Sequence, residues 1–182
     1  MRQTIFVSSV QKELAEERRA IREFVRNDPL LRQFFDVFLF EDMPASDHRA
    51  DEAYLSQVDR CGVYVGLYGM EYGNEDREGL SPTEREFDRA TEKHKPRLVF
   101  LKGRDSRGRD PKMAALIRKA GDQLVRRRFL DIADLKTALY ASLVAHLQRQ
   151  GMIQTRPFDE QVCPGAARKS RASSASPSGA TG

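Results

Sequence analysis

The chain has 182 residues, 40% of them hydrophobic, with 31 Lys and Arg against 27 Asp and Glu for a formal charge of +4. This is length for one domain with an appendage, and enough apolar content for a real core. No apolar run approaches the ~20 residues of a membrane span, no apolar leader opens the chain, and Cys61 and Cys163 lack metal-ligand spacing, so a cytoplasmic protein with neither membrane nor metal is expected.

Strand-like and helix-like patterns alternate. Thr4–Ser8 is a short β-branched and aromatic run. Residues 10–26 read as a helix with Leu14, Ile21, Phe24 and Val25 on one side, stopped by Asn27-Asp28-Pro29. Residues 34–40 are a second apolar strand, and 41–47 a polar loop. Residues 51–61 form a helix with Tyr54, Leu55, Val58 and Cys61 at helical spacing, Cys61 packing as a small apolar residue. Val63–Tyr68 is the third strand, 81–94 the third helix, and 97–102 the fourth strand. A helix over 110–119 carries Pro111 at its first position, a weaker strand spans 123–130, and a last helix runs over 134–150.

Several strands are apolar throughout rather than alternating, the mark of a sheet covered on both faces. Five rounds of strand and helix then predict right-handed crossovers and an open, doubly wound α/β sheet.

Charge is unevenly distributed. Residues 1–101 hold 15 basic and 20 acidic side chains, and residues 102–128 hold 10 and 3. That local excess would suit a nucleic-acid face. No aromatic residues interleave it as stacking platforms, which favours a solvated loop and a charge-blunted strand edge instead.

The chemistry-bearing stretch runs from Gly62 to Ala90. A strand enters the glycine-rich loop Gly66-Leu-Tyr-Gly-Met-Glu-Tyr-Gly73, and Ser81-Pro-Thr-Glu84 then caps a helix. The loop is neither a dinucleotide fingerprint nor a P-loop. Tyr68 and Tyr72 are either stacking platforms or packed aromatics. Glu84 belongs to the capping box. Glu86, beside the stripe Thr83, Phe87, Ala90 and His94, is either a surface acid favoured by the helix dipole or a carboxylate aimed across the sheet's carboxyl edge. Ser8-Ser9 and Glu41-Asp42 fall at the ends of the first two strands, on the same edge, where ligands bind in such sheets.

Three segments, Thr4–Leu14, Pro44–Leu55 and Cys61–Gly73 with Ser81–Phe87, together resemble a family. It is the TIR-like domain of unknown function that opens many bacterial ATP-binding and signalling proteins and some STAND NTPases. That family is distantly similar to TIR domains and nucleoside 2-deoxyribosyltransferases. The resemblance implies a flavodoxin-like three-layer fold with a five-stranded parallel sheet of order 2-1-3-4-5. It also implies a signalling, defence or regulatory role through self-association or a protein partner, with binding or cleavage of a nucleotide such as NAD as substrate. The alternatives are a fully active NAD glycohydrolase or deoxyribosyltransferase-like enzyme, and a nucleic-acid-associated regulator using residues 102–128.

The segment around Glu86-Phe-Asp-Arg-Ala90 is similar to the one carrying the catalytic glutamate in the deoxyribosyltransferases. The resemblance therefore implies Glu86 as the catalytic carboxylate, with Glu84 as fallback. Ser8, Ser9, Asp42, Gly69, Tyr72 and Ser81 are the implied substrate-binding residues, and no metal is implied. Residues 156–166 resemble the opening of the ATP-binding module that often follows such a domain. The expected organisation is a TIR-like domain over 1–150, a linker or the start of a truncated following module over 151–165, and a disordered low-complexity tail over 166–182.

Overall fold

The computed structural model describes residues 1–42 and 50–154; His48, Cys163 and the expected tail lie outside the described residues. The chain divides into two compact units, Met1–His146 and Leu147–Gly182.

The first unit contains a five-stranded, all-parallel sheet of order β2-β1-β3-β4-β5. The strands are β1 (Gln3–Ser8), β2 (Phe35–Phe38), β3 (Val63–Tyr68), β4 (Arg97–Lys102) and β5 (Arg126–Phe129). Helices α1 (Ala15–Asn27), α2 (Leu31–Phe34), α3 (Ala50–Arg60), α4 (Pro82–Glu92), α5 (Pro111–Gly121) and α6 (Ile132–Arg149) complete the order, with a short 3-10 helix over Phe40–Asp42. This is the doubly wound α/β sheet that the alternation of patterns predicts, in the flavodoxin-like strand order that the family resemblance implies.

Every residue of the central strand β3 is buried, as its unbroken apolar run requires. On one face Phe6, Tyr64, Tyr68, Val99 and Leu101 pack with Val58 of α3, Phe87 and Ala90 of α4, and Met113 and Leu116 of α5. On the other face α1 meets α6, with Phe24 set edge-on to Tyr140 at 6.3 Å. Cys61 is buried in the first of these layers, and burial pushes its thiol up to about 11, so it packs as an inert apolar group.

The boundaries differ from the sequence expectation where side chains reach beyond their own element. The first helix begins at Ala15, not at residue 10, because Val10–Leu14 form a separate turn closed by Leu14 N–H to Val10 O at 3.1 Å. The second strand is shorter than 34–40. The Asp28 carboxylate accepts from the Leu30 and Leu31 amides at 2.9 and 2.8 Å and nucleates α2, and Phe40–Asp42 coil into the 3-10 turn. The last strand starts at Arg126, since the Gln123 and Leu124 amides bond Ala120 O and finish α5 instead.

His94, expected in the buried stripe of the third helix, lies beyond its end and is exposed. It adopts φ 52° while Lys95 N–H bonds Ala90 O and His94 N–H bonds Thr91 O, the helix-ending pair of bonds that glycine usually serves. In the second unit the last turn of α6 closes the same way, with Met152 N–H on Leu147 O and Gly151 N–H on Gln148 O, each 3.0 Å.

A side chain costs energy in the left-handed region, and His94 touches no core. His94→Gly is therefore expected to stabilise the protein by about 0.5 kcal/mol, read as a raised urea midpoint with unchanged slope.

Candidate active site

In this strand order the chain turns to opposite sides after β1 and after β3, so a crevice opens at their carboxyl ends. Ser8 ends β1 there, and β3 runs at Tyr68 into the loop holding Tyr72. Helix α4 starts above the same point. Ser81 is its N-cap, accepting from the Glu84 amide at 3.3 Å, and Pro82 stands in its first turn. One turn further in, Glu86 is brought down onto Ser8.

Glu86 is 8% exposed and accepts a hydrogen bond at Oε2 from the Ser8 hydroxyl. Of the two sequence readings, the surface acid is thereby replaced by a buried carboxylate. Loss of water raises its pKa from 4.5 to about 7, against the opposing pull of the Ser8 hydrogen bond and of Arg18. It lines a cavity of about 370 Å³ with Ser9, Val10, Tyr54, Tyr72 and Thr83, and Phe40 set edge-on to Tyr54 at 6.1 Å forms part of its wall. A larger open concavity of about 670 Å³ lies at the amino ends of β1 and β2 among Arg2, Arg22, Arg26 and Arg32. It contains no buried carboxylate or nucleophile, so chemistry selects the smaller cavity.

Arg18 is the member of this site that the sequence reading missed. It is 1% exposed on α1. One terminal nitrogen donates to Val7 O at 2.9 Å and Ser9 Oγ at 3.1 Å, while Nε and the other terminal nitrogen clamp both oxygens of Glu41 at 2.9 and 2.6 Å. It thus ties the end of β1 to the turn after β2. Burial pushes the Glu41 carboxyl up, but the hydrogen bonds and charge of Arg18 outweigh this and hold it below the ordinary value. The signal was present: Arg18 sits in the stripe Leu14, Arg18, Ile21, Val25, a charge at a core-facing position beside the likewise buried Glu17.

The loop after β3 is fixed from two sides. The Glu13 carboxylate accepts from the Met70 and Glu71 amides at 2.5 and 3.1 Å, and a Cβ on Gly69 would collide with it. Arg109 donates to Tyr68 O, Gly69 O and Lys102 O, and its Nε is the single buried side-chain polar atom without a partner among the described residues. Gly69 therefore serves close backbone approach.

Tyr72 is 3% exposed and lines the cavity with its ring, while its hydroxyl donates to Glu84 Oε2 at 2.5 Å and accepts from the Ser81 amide at 3.2 Å. The back-bond expected of Glu84 in a capping box is made instead through Tyr72. The other Glu84 oxygen meets Lys119 Nζ at 3.1 Å, so both are occupied, and Glu84 does not line the cavity. Tyr68 is fully buried core.

Of the sequence-stated residues, Glu86, Ser8, Ser9 and Tyr72 come together. Ser81 and Gly69 shape the helix start and the loop. Asp42 ends the 3-10 helix, and its side chain lies outside what is described. The basic stretch 102–128 is partly committed within the fold. Arg126 donates to Ile117 O at 2.5 Å, Arg128 to Gly103 O and Asp105 O at 3.1 and 3.0 Å, and Lys102 pairs with Glu17 at 2.5 Å.

The chain belongs to the family described as domain of unknown function DUF4062, whose model matches residues 4–144. No curated protein matches it. Among solved structures it is similar to the CMP N-glycosidase of Clostridium botulinum at 10% identity, covering 78% of this chain and 99% of that one with a TM-score of 0.48. A 2-deoxyribosyltransferase from Leishmania mexicana is also 10% identical, over 54% of this chain and 64% of that one, TM-score 0.39. Oxidised flavodoxin 1 from Bacillus cereus is 14% identical over 81% and 99%, TM-score 0.44. These likenesses concern the fold.

The Glu86 pKa carries a stability consequence. The folded value lies above the unfolded 4.5, so the folded protein holds the proton more tightly. Its stability is full below about 4.5 and drains as pH rises through about 7. Glu86→Gln removes this drain. Urea titrations at pH 4.5 and pH 8 are expected to show the variant gaining roughly 2–3 kcal/mol on the parent between the two.

Proposed function

We propose that the domain binds a nucleotide in the cavity beside Glu86 and cleaves its N-glycosidic bond, within a TIR-like signalling or defence role exercised by self-association. The observation that supports this reading is a single carboxylate, deprived of water and held by Ser8, facing a cavity walled by Phe40, Tyr54 and Tyr72. The aromatic wall suits the flat base, and the carboxylate suits the sugar carbon that becomes positive as the base departs.

In the proposed step a Glu86 oxygen forms a bond to C1′ while the C1′–N bond breaks. Its electron pair leaves with the base, which takes a proton from water if it departs as an anion. Water then hydrolyses the glycosyl ester and restores the carboxylate. Removal of the hydration shell leaves the carboxylate more reactive than a surface acid. Only the ionised form attacks, so the rate rises as pH passes through the Glu86 value of about 7.

The test is incubation with NAD and with purine and pyrimidine nucleosides and their 5′-monophosphates, following free base or nicotinamide by chromatography. It is run over protein concentrations spanning self-association as measured by sedimentation. Base release is expected for at least one substrate, with kcat lowered ~10³-fold or more in Glu86→Gln. No release from the assembled protein, or equal release from the variant, overturns the proposal.

A further inference from the structure

The larger concavity, which the proposed reaction leaves unused, wraps around an open edge of the sheet. β2 stands at the end of the strand order and pairs with β1 alone among the described residues. Phe35, Asp36 and Val37, consecutive residues of β2, all line this concavity of about 670 Å³. Successive side chains of a strand point to opposite faces. Phe35 turns toward α6, its ring 6.2 Å from that of His146. Asp36 shares the opposite face with Phe38, which stacks on Phe6 at 5.9 Å. Neither face alone can offer all of these residues, so the concavity runs past the outer edge of β2. There the backbone N–H and C=O groups that do not bond β1 point outward.

The rim of the concavity is basic. Arg22 and Arg26 stand one turn apart on α1, Arg32 lies on α2, and Arg2 precedes β1. Val25 and Phe35 are each 1% exposed and so form the floor, whereas Arg2, Arg26 and Arg32 are exposed. The acid among the lining residues is Asp36, already bound to Arg2 at 2.9 Å. Arg26 and Arg32 have no acidic partner among the described residues. The lining residues therefore carry a clear excess of positive charge along the strand edge. Such charge repels another basic chain, a second copy of this surface included. It favours carboxylates, which guanidinium groups hold in bidentate geometry.

From an open strand edge and an arginine rim in one concavity we infer a docking surface for an extended acidic segment of another protein, which joins β2 as a further strand. Main-chain bonds along the edge supply affinity, and the arginines supply the choice of sequence. A phosphate backbone meets arginines equally well, but it offers no ladder of N–H and C=O groups to the edge. Register adds a constraint. The face of β2 that holds Phe35 and Val37 is the one covered by α1, which carries Arg22 and Arg26, while the other face holds Asp36. Acids therefore belong at every second position of the segment, on the α1 side, with neutral residues beside Asp36. The surface lies at the amino ends of the strands, so it is independent of the cleavage proposed at their carboxyl ends.

The probe is a capped octapeptide alternating threonine and glutamate, added to the full chain at low salt. Its control is the block isomer, all threonines followed by all glutamates, which has the same charge and composition. Amide hydrogen exchange, read by NMR, reports the outcome at β2. The alternating peptide is expected to slow exchange of those Asp36–Phe38 amides that do not bond β1. It is also expected to bind about tenfold more tightly than the isomer. Combining Arg26→Glu with Arg32→Glu, both at exposed positions, is expected to weaken it by about tenfold as well. Absence of binding overturns the proposal. Binding without protection at β2, or equal binding of the isomer, reduces the surface to a charged patch and overturns it too. Tighter binding of a single-stranded oligodeoxynucleotide at the same salt overturns it in favour of a phosphate backbone. Protection of the same amides on concentrating the protein alone overturns it in favour of a second copy. The parent protein decides each of these outcomes, so the test stands even if the double variant does not fold.

Discussion

A carboxylate that has lost nearly all its water is the constraint around which this fold is arranged. Glu86 receives one hydroxyl and the more distant charge of Arg18, and these only partly offset desolvation. A protein selected for stability alone would place an amide or an aliphatic side chain there. Retention of the acid at the crevice between β1 and β3, the place where such sheets bind ligands, is the physical ground for reading it as a working group.

The surrounding architecture keeps that group's environment rigid. Arg18 ties the end of β1 to Glu41, Glu13 and Arg109 hold the loop after β3 from opposite sides, and Tyr72 joins that loop to the start of α4 through Glu84 and the Ser81 amide. Each of these is a charge-assisted bond or a bond to main chain, made between different elements or loops. They set the position of the cavity wall relative to Glu86, the fixed geometry on which the proposed cleavage would draw.

Much of this was readable in the residues. The unbroken apolar run of β3 announced a sheet covered on both faces, and Ser81-Pro-Thr-Glu placed the start of α4 to the residue. Arg18 was readable in principle as a charge within an apolar helical stripe. The capping-box assignment of Glu84 was half right: Ser81 caps its amide, while the Glu84 carboxylate goes to Tyr72 and Lys119. No spacing rule connects residue 72 to residue 84, since the loop between them sets where the tyrosine lands. The early start expected for α1 failed for a related reason. Residues 10–14 have helical character, but Glu13 serves amides 57 and 58 positions away.

By itself the sequence determined the element types, their alternation and hence the doubly wound sheet, because periodicity and capping are local properties of neighbouring residues. It also determined which helix carried the acid. Only the tertiary structure decided that Glu86 is buried rather than bathed in water. Only it revealed that Gly66 is a notch between two leaning tyrosine rings, and that Ser8 stands against the carboxylate. Desolvation depends on what stands opposite a side chain in space, and for Glu86 the hydrogen-bond partner is 78 residues away along the chain.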